Sequence, residues 1–187
     1  GRDTVHVLAS HPTPPSFDGS EDRNGRRNHD EIRFWADYIT GSRRGSWIRD
    51  DNGGTGGLLP GSRFVIMGDL NSDPQDGDSW PGAARQLLEH HRIQDPRPSS
   101  EGAVAAAAAQ GGANTRHLGE HRFDTADFTD QAPGNLRVDY VLPSSNLRVQ
   151  DSQVFWPAPG QPGAELTGSY PFPTSDHRPV WADLRVR

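Results

Sequence analysis

A mixed α/β domain built over one core is the fold class the sequence predicts, on three observations. Short runs rich in apolar and β-branched residues recur along the chain, as in FVIM from Phe64 and VDYVL from Val138. Stretches with helical spacing lie between them. No internal repeat and no long linker divides the 187 residues, a length that suits one domain with a sizeable core.

Residues 5–10 form the first expected strand, ending at His11 and the turn-forming PTPPS. Residues 28–39 repeat apolar positions at Ile32, Trp35, Ala36 and Ile39, a helix with Asn28 as N-cap and Asp30 and Glu31 in its first turn. Residues 41–62 are rich in Gly, Ser and Arg and read as an exposed loop. The continuous run from Phe64 to Met67 reads as a strand buried on both faces. Residues 79–92, with Pro81 near the start and Ala84, Leu87 and Leu88 inside, read as a helix, and so does the alanine tract 103–109 before Gly111 and Gly112. Residues 137–143, 148–156 and 178–186 complete the strands; in the last, Val180, Ala182, Leu184 and Val186 alternate with polar partners.

Composition narrows the function classes. Net charge is −6, and all 19 basic residues are arginine, which base composition explains more simply than phosphate grip does. An acidic balance disfavours broad non-specific binding of nucleic acid. The absence of cysteine removes disulfides and thiolate metal sites. No apolar run reaches membrane-spanning length. Gly1 and Arg2 lead almost directly into a strand with no signal peptide before it, so upstream sequence is expected to have been removed.

The window FVIMGDLNSDPQDGDSW carries Asp69, Asn71, Asp73, Asp76 and Asp78. A calcium EF-hand loop fails here, because its sixth position is Pro74 and its twelfth Trp80; proline cannot supply the positive φ of the usual glycine. What remains is a buried strand ending in Asp69 and Asn71, two residues apart and so expected on one face. They are either a polar turn or the edge of a site that holds water, cation or phosphoryl oxygen. Asp139 is a lone carboxylate in an apolar run and needs a cation, an imidazole or a donor network. Asp176 and His177 precede the last strand as neighbours and should face different partners. His11 ends the first strand. Acid, amide or imidazole at four strand ends points to a common site.

Taken in order, SHPTPP, GDLNSDP, RVDYVLPS and SDHRPV resemble the endonuclease/exonuclease/phosphatase superfamily, the deoxyribonuclease-I-like fold, over nearly the whole chain. The wording HPTPP and FDGSEDRNGRRNHDE resembles a bacterial, secreted-type branch of phosphoesterases, which implies an extracellular protein. The resemblance implies a four-layered sandwich of two mainly antiparallel sheets flanked by helices, with residues 1–187 the C-terminal major portion of one such domain. It also implies phosphoester hydrolysis dependent on Mg²⁺, or on Mn²⁺ or Ca²⁺. By motif, Asp69 would orient or deprotonate the attacking water and Asn71 would stabilise phosphoryl oxygens. Asp176 would hold the metal, His177 would contact the phosphate under the orienting charge of Asp139, and His11 would act near the phosphate or leaving group. Whether Asp69 or the Asp139–His177 pair is the base stays open.

Members of the superfamily carry an asparagine and a metal-binding glutamate before the segment matching the first strand. Glu21 and Glu31 follow His11 and do not match. An upstream segment of the same protein, joined or as a separate chain, is expected to supply them, and residues 1–187 alone are expected to bind Mg²⁺ weakly and turn over little. The expected substrate is a phosphorylated small molecule or a lipid-like phosphate. A nuclease of the same fold and a non-catalytic binding module are the alternatives. A nuclease should line a groove with Arg, Lys or aromatic residues, and a binding module has no need of five costly polar positions. Arg26, Arg27 and Arg33 read as a solvated helix face, Phe34 and Trp35 as packing, His90, His91, His117 and His121 as surface residues, and Asp124 and Asp127 as the lining of a substrate loop.

Overall fold

The structure, a computed structural model, describes residues 4–41 and 44–186; the expectation drawn from Gly1 and Arg2 lies outside the described residues. Its elements follow in the order β1 (Val5–Ala9), α1 (Arg23–Thr40), β2 (Arg63–Asp69), α2 (Arg85–Leu88), α3 (Glu101–Gln110), β3 (Ala126–Asp127), β4 (Asn135–Leu136), β5 (Asp139–Pro143), β6 (Arg148–Val154), α4 (Ala164–Thr167) and β7 (Val180–Arg185). β2 lies at the centre of a sheet ordered β1-β2-β5, parallel to β1 and antiparallel to β5. β6 and β7 form an antiparallel pair, as do the two short strands β3 and β4.

The alternation of β2 decides the layering. Phe64 and Ile66, with Leu8, Tyr140 and Leu142, face one side and pack against Ile32, Ala36 and Ile39 of α1 and Leu87 of α2. Val65 and Val141 face the other side, where Val180, Ala182 and Leu184 of β7 cover them. The strand is buried on both faces, which is why its sequence is a continuous apolar run. Each fully buried Ile, Leu or Phe of this core contributes about 1.5–3 kcal/mol before conformational entropy is counted. α3 closes the end of the β6–β7 pair through Ala103 against Val154 and Trp156. The result is a mixed α/β sandwich in which two sheets face each other and helices cover the outer side of one.

Several expected boundaries shift for local reasons. α1 begins at Arg23, so Asn28 is no cap but an interior residue, and Asp30 and Glu31 lie mid-helix. The added turns carry Arg23, Asn24, Gly25, Arg26 and Arg27, which have no apolar periodicity, and the Asp18 carboxylate accepts the Asn24 N–H at their start. The helix expected over 79–92 is reduced to Arg85–Leu88, because Gly82 sits at φ 83 and interrupts it, although Ala83 and Leu87 still reach the core. α3 starts after Ser100, whose hydroxyl accepts the Ala103 N–H at 3.2 Å. Arg137 and Val138 lie before β5, because the Arg137 N–H goes to Asp73 and the Val138 carbonyl to Leu70 N–H.

Topology gathers the polar strand ends. β1 and β2 run parallel, so His11 and Asn71 both follow at the same end of the sheet, and antiparallel β5 begins there at Asp139. The approach to β7 joins this end through a bridge between His177 and Ala126 of β3.

Candidate active site

Asp69 and Asp139 are direct cross-strand partners at the last rung of the β2–β5 ladder. Like charges directly opposite each other are destabilising, so the pair requires compensation. His177 supplies it: its Nδ1 donates to Asp139 Oδ2 at 2.9 Å, and its Nε2 stands 4.0 Å from Asp69 Oδ2. His11 reaches the same Asp69 oxygen from the other side, with Nε2 at 3.5 Å and a side chain 73% exposed. Asn71 lies just past β2 at φ 50, a left-handed position that asparagine tolerates better than most residues. Its backbone N–H donates to Asp69 Oδ1 at 2.7 Å, and its side-chain amide donates to the Pro12 carbonyl at 3.1 Å. Among the described residues that amide has no second acceptor. Asp69 and Asn71 were expected to share a strand face; they meet instead through this tight turn.

Thr125 is the residue that sequence reasoning missed. It is fully buried, and its hydroxyl donates to Asp139 Oδ2 at 2.9 Å while accepting the N–H groups of Val138 at 3.0 Å and Asp139 at 2.9 Å. One hydroxyl therefore fixes both the backbone and the carboxylate of Asp139. Nothing local in FDTADF marks it, since its partners are 13 and 14 residues away.

Electrostatics follow from this packing. Burial pushes the Asp69 carboxyl up and Asp139 adds to the effect, while the Asn71 N–H, His177 and His11 pull it back. The hydrogen bond to Asp139 raises His177 above the ordinary histidine range against the opposing effect of burial. The imidazole thus holds its proton to a higher pH than a free histidine.

Behind the site, Arg178 is fully buried and donates to Asp127 Oδ2 at 3.1 Å, with its guanidinium over Trp156 at 4.5 Å. Asp127 N–H donates to the Asp176 carbonyl and Arg178 N–H to the Thr125 carbonyl, so the segment carrying His177 is laced to β3. Asp124 and Asp127, expected to line a substrate loop, are both buried, with their carboxyls engaged by His121 and Arg178. His121, His117 and His90 likewise have partners, in Asp124, the Pro133 carbonyl and the Thr40 hydroxyl. Arg26, Arg27 and Arg33 line an open cleft of about 850 Å³ beside His11. Arg27 is held by Glu31 at 2.8 Å and Arg26 stacks on Trp80 at 4.8 Å.

One ligand atom from each of Asp69, Asp139 and His177 lies within 4.8 Å of the others, the one such group among the described residues. Two carboxylates opposed on one rung fit a divalent cation, which would relieve their repulsion with the hard oxygens Mg²⁺ prefers. The Asp176 carboxylate, the metal ligand implied by resemblance, is not in that group, although it acts electrostatically on its neighbour His177.

The family model described as Endonuclease/Exonuclease/phosphatase family matches residues 2–177. Among solved structures, the chain is similar to the crystal structure of an endonuclease/exonuclease/phosphatase from Beutenbergia cavernae DSM 12333, at 21% identity and a TM-score of 0.50. The match covers 97% of this chain and 35% of that one, and at this identity it bears on the fold alone. No curated protein matches the chain.

Proposed function

The chain belongs to the endonuclease/exonuclease/phosphatase family, and from that premise we propose that it hydrolyses phosphoester bonds in a divalent-metal-dependent reaction, as a phosphomonoesterase or phosphodiesterase. Members of the family are generally metal-dependent phosphoesterases and nucleases. The observation that carries the reading is the rung of opposed carboxylates, Asp69 and Asp139, with His177 bonded to one and His11 beside the other.

Asp69 orients the attacking water and takes its proton; a carboxyl raised by burial is a better base than a solvated one. His177, held as an imidazolium by Asp139, donates to a phosphoryl oxygen and offsets the charge that builds there. Asn71 aims its second amide hydrogen at another phosphoryl oxygen. His11, exposed at the rim beside Asp69, is assigned the part of acting near the phosphate or leaving group. Asp69 and Asp139 would hold the cation, with Asp176 as a further candidate ligand; Mg²⁺, Mn²⁺ or Ca²⁺ supplies Lewis-acid polarisation of the phosphoryl group when bound.

The substrate class proposed is a phosphorylated small molecule or lipid-like phosphate. A panel of phosphomonoesters, phosphodiesters and DNA, offered to the full-length protein with and without Mg²⁺ or Mn²⁺, tests the reading. Hydrolysis of a mono- or diester that a chelator abolishes is the expected result. Hydrolysis of DNA alone would make it a nuclease, and no hydrolysis with any metal would overturn the enzyme reading.

A further inference from the structure

Asn28 sits in the middle of α1, fully buried, where asparagine is a poor helix former. Its side-chain amide donates to the Leu70 carbonyl at 2.9 Å and the Thr13 carbonyl at 2.9 Å, and faces the Asn71 carbonyl at 3.5 Å. Its Oδ1 is buried with no partner among the described residues. Three surrounding carbonyls settle which way the amide points, since the oxygen would be repelled by all of them. A helix that keeps a weak former with an orphaned oxygen carries a cost of about 1–3 kcal/mol for the unsatisfied group alone.

The contacts explain what that cost supports. Thr13 is two residues beyond His11, and α1 grips it twice, at its carbonyl by Asn28 and at its N–H by Glu31 Oε2 at 2.6 Å. Leu70 and Asn71 form the turn that leaves β2, with Asn71 in a left-handed conformation that persists only where its surroundings over-determine it. Asn71 in turn donates to the Pro12 carbonyl. Asn28 is therefore the keystone between the loop carrying His11 and the turn carrying Asn71.

We propose that Asn28 is a positioning residue for the phosphoester reaction, setting the separation of His11 and Asn71 through the Thr13 and Leu70 carbonyls. The inference rests on the hydrolytic reading of the same site. It acts on placement alone, since the Asn28 side chain is sealed in the core and touches no substrate.

The test compares Asn28→Ala and the milder Asn28→Ser, which keeps one donor, with Ser144→Ala in the full-length protein. Ser144 is an equally buried polar residue that accepts the Phe64 N–H at the opposite end of β2, so its loss measures fold cost without touching the site. Expected is a kcat loss of about 10–100-fold in Asn28→Ala, with KM changed less than about threefold, the scale of a small misplacement. Asn28→Ser should fall between, and Ser144→Ala should lower Tm with kcat intact. In an Asn71→Ala background, Asn28→Ala should cost much less, because both act through one group. An unchanged kcat in Asn28→Ala, or the same loss in both backgrounds, overturns the proposal. Amide exchange gives a reading independent of turnover: the Thr13 and Asn71 N–H groups should exchange at least about tenfold faster in Asn28→Ser, with Ile66 unmoved. If the wild type hydrolyses nothing, the reaction fails; if these two amides are unmoved, the positioning fails.

Discussion

At Asp139, three demands meet on one carboxylate: it opposes Asp69 across the ladder, accepts from His177 Nδ1, and accepts from the Thr125 hydroxyl. Asp139→Asn removes the repulsion and the ion pair together, and these oppose each other in the fold. Its Tm is expected to stay within about 4 °C of wild type, while kcat falls about 10²-fold or more because His177 loses the group that keeps it charged and oriented. Thermal melts and steady-state rates on one preparation check both halves; a large Tm loss with kcat preserved would make Asp139 a structural residue. Asn71→Ala should likewise cost about 10²-fold in kcat, the scale of one preorganised donor, and an unchanged rate on the best substrate would remove it from the site. The strand-end acids, amide and imidazoles were legible because each sits in a short motif beside an apolar run. Thr125 and Asn28 were not, because their roles exist only in contacts that span from 13 to 43 residues of chain.

The strands that place these groups depend on one close approach. At Gly68 the backbone stands at φ 135, and a Cβ there would lie 2.0 Å from the Ser10 carbonyl oxygen, just where β1 hands over to His11. Ser10 N–H donates to the Met67 carbonyl at 3.0 Å, so the strands cannot simply part. Gly68→Ala is expected to destabilise by roughly 2–3 kcal/mol through strain and displaced pairing, and to depress turnover beyond that by shifting His11 against Asp69. Denaturant titration with a rate assay under fully folded conditions checks it; stability within about 0.5 kcal/mol of wild type would mean that the strands re-register freely. The same scale shows why element type was easier to read than element limits. Ile32, Ala36 and Ile39 announce α1 by period, but its first turns are held by Asp18, a partner that periodicity does not report. Residues 79–92 carry a helical pattern, yet Gly82 adopts a positive φ that a pattern of apolar positions does not encode.

Across the whole molecule, an acidic chain of net charge −6 buries carboxyls whose ionisation the fold resists. Burial raises Asp73 and Asp127 above the ordinary carboxylate range as it does Asp69, and each is partly relieved by backbone N–H groups, Gln110 or Arg178. Asp124 has least relief: burial pushes its carboxyl up to about 9, and Asp73 and Asp76 add to the rise. His121 Nδ1, at 3.1 Å, is its hydrogen-bond partner. An unfolded aspartate titrates near 3.9, so between about pH 4 and the folded value of about 9 the native state binds more protons at Asp124 than the unfolded chain. Stability must then fall as pH rises through that window. Asp124→Asn keeps the size and a hydrogen-bonding group but has no proton to lose. Its Tm should match wild type near pH 4 and exceed it by at least about 3 °C at pH 8, with the gap widening steadily between. Paired thermal melts across that range, at a residue apart from the proposed catalytic set, decide the matter. Parallel curves for the two proteins would show that Asp124 is ionised in the fold, and the alkaline loss would then have to be sought at the other buried acids.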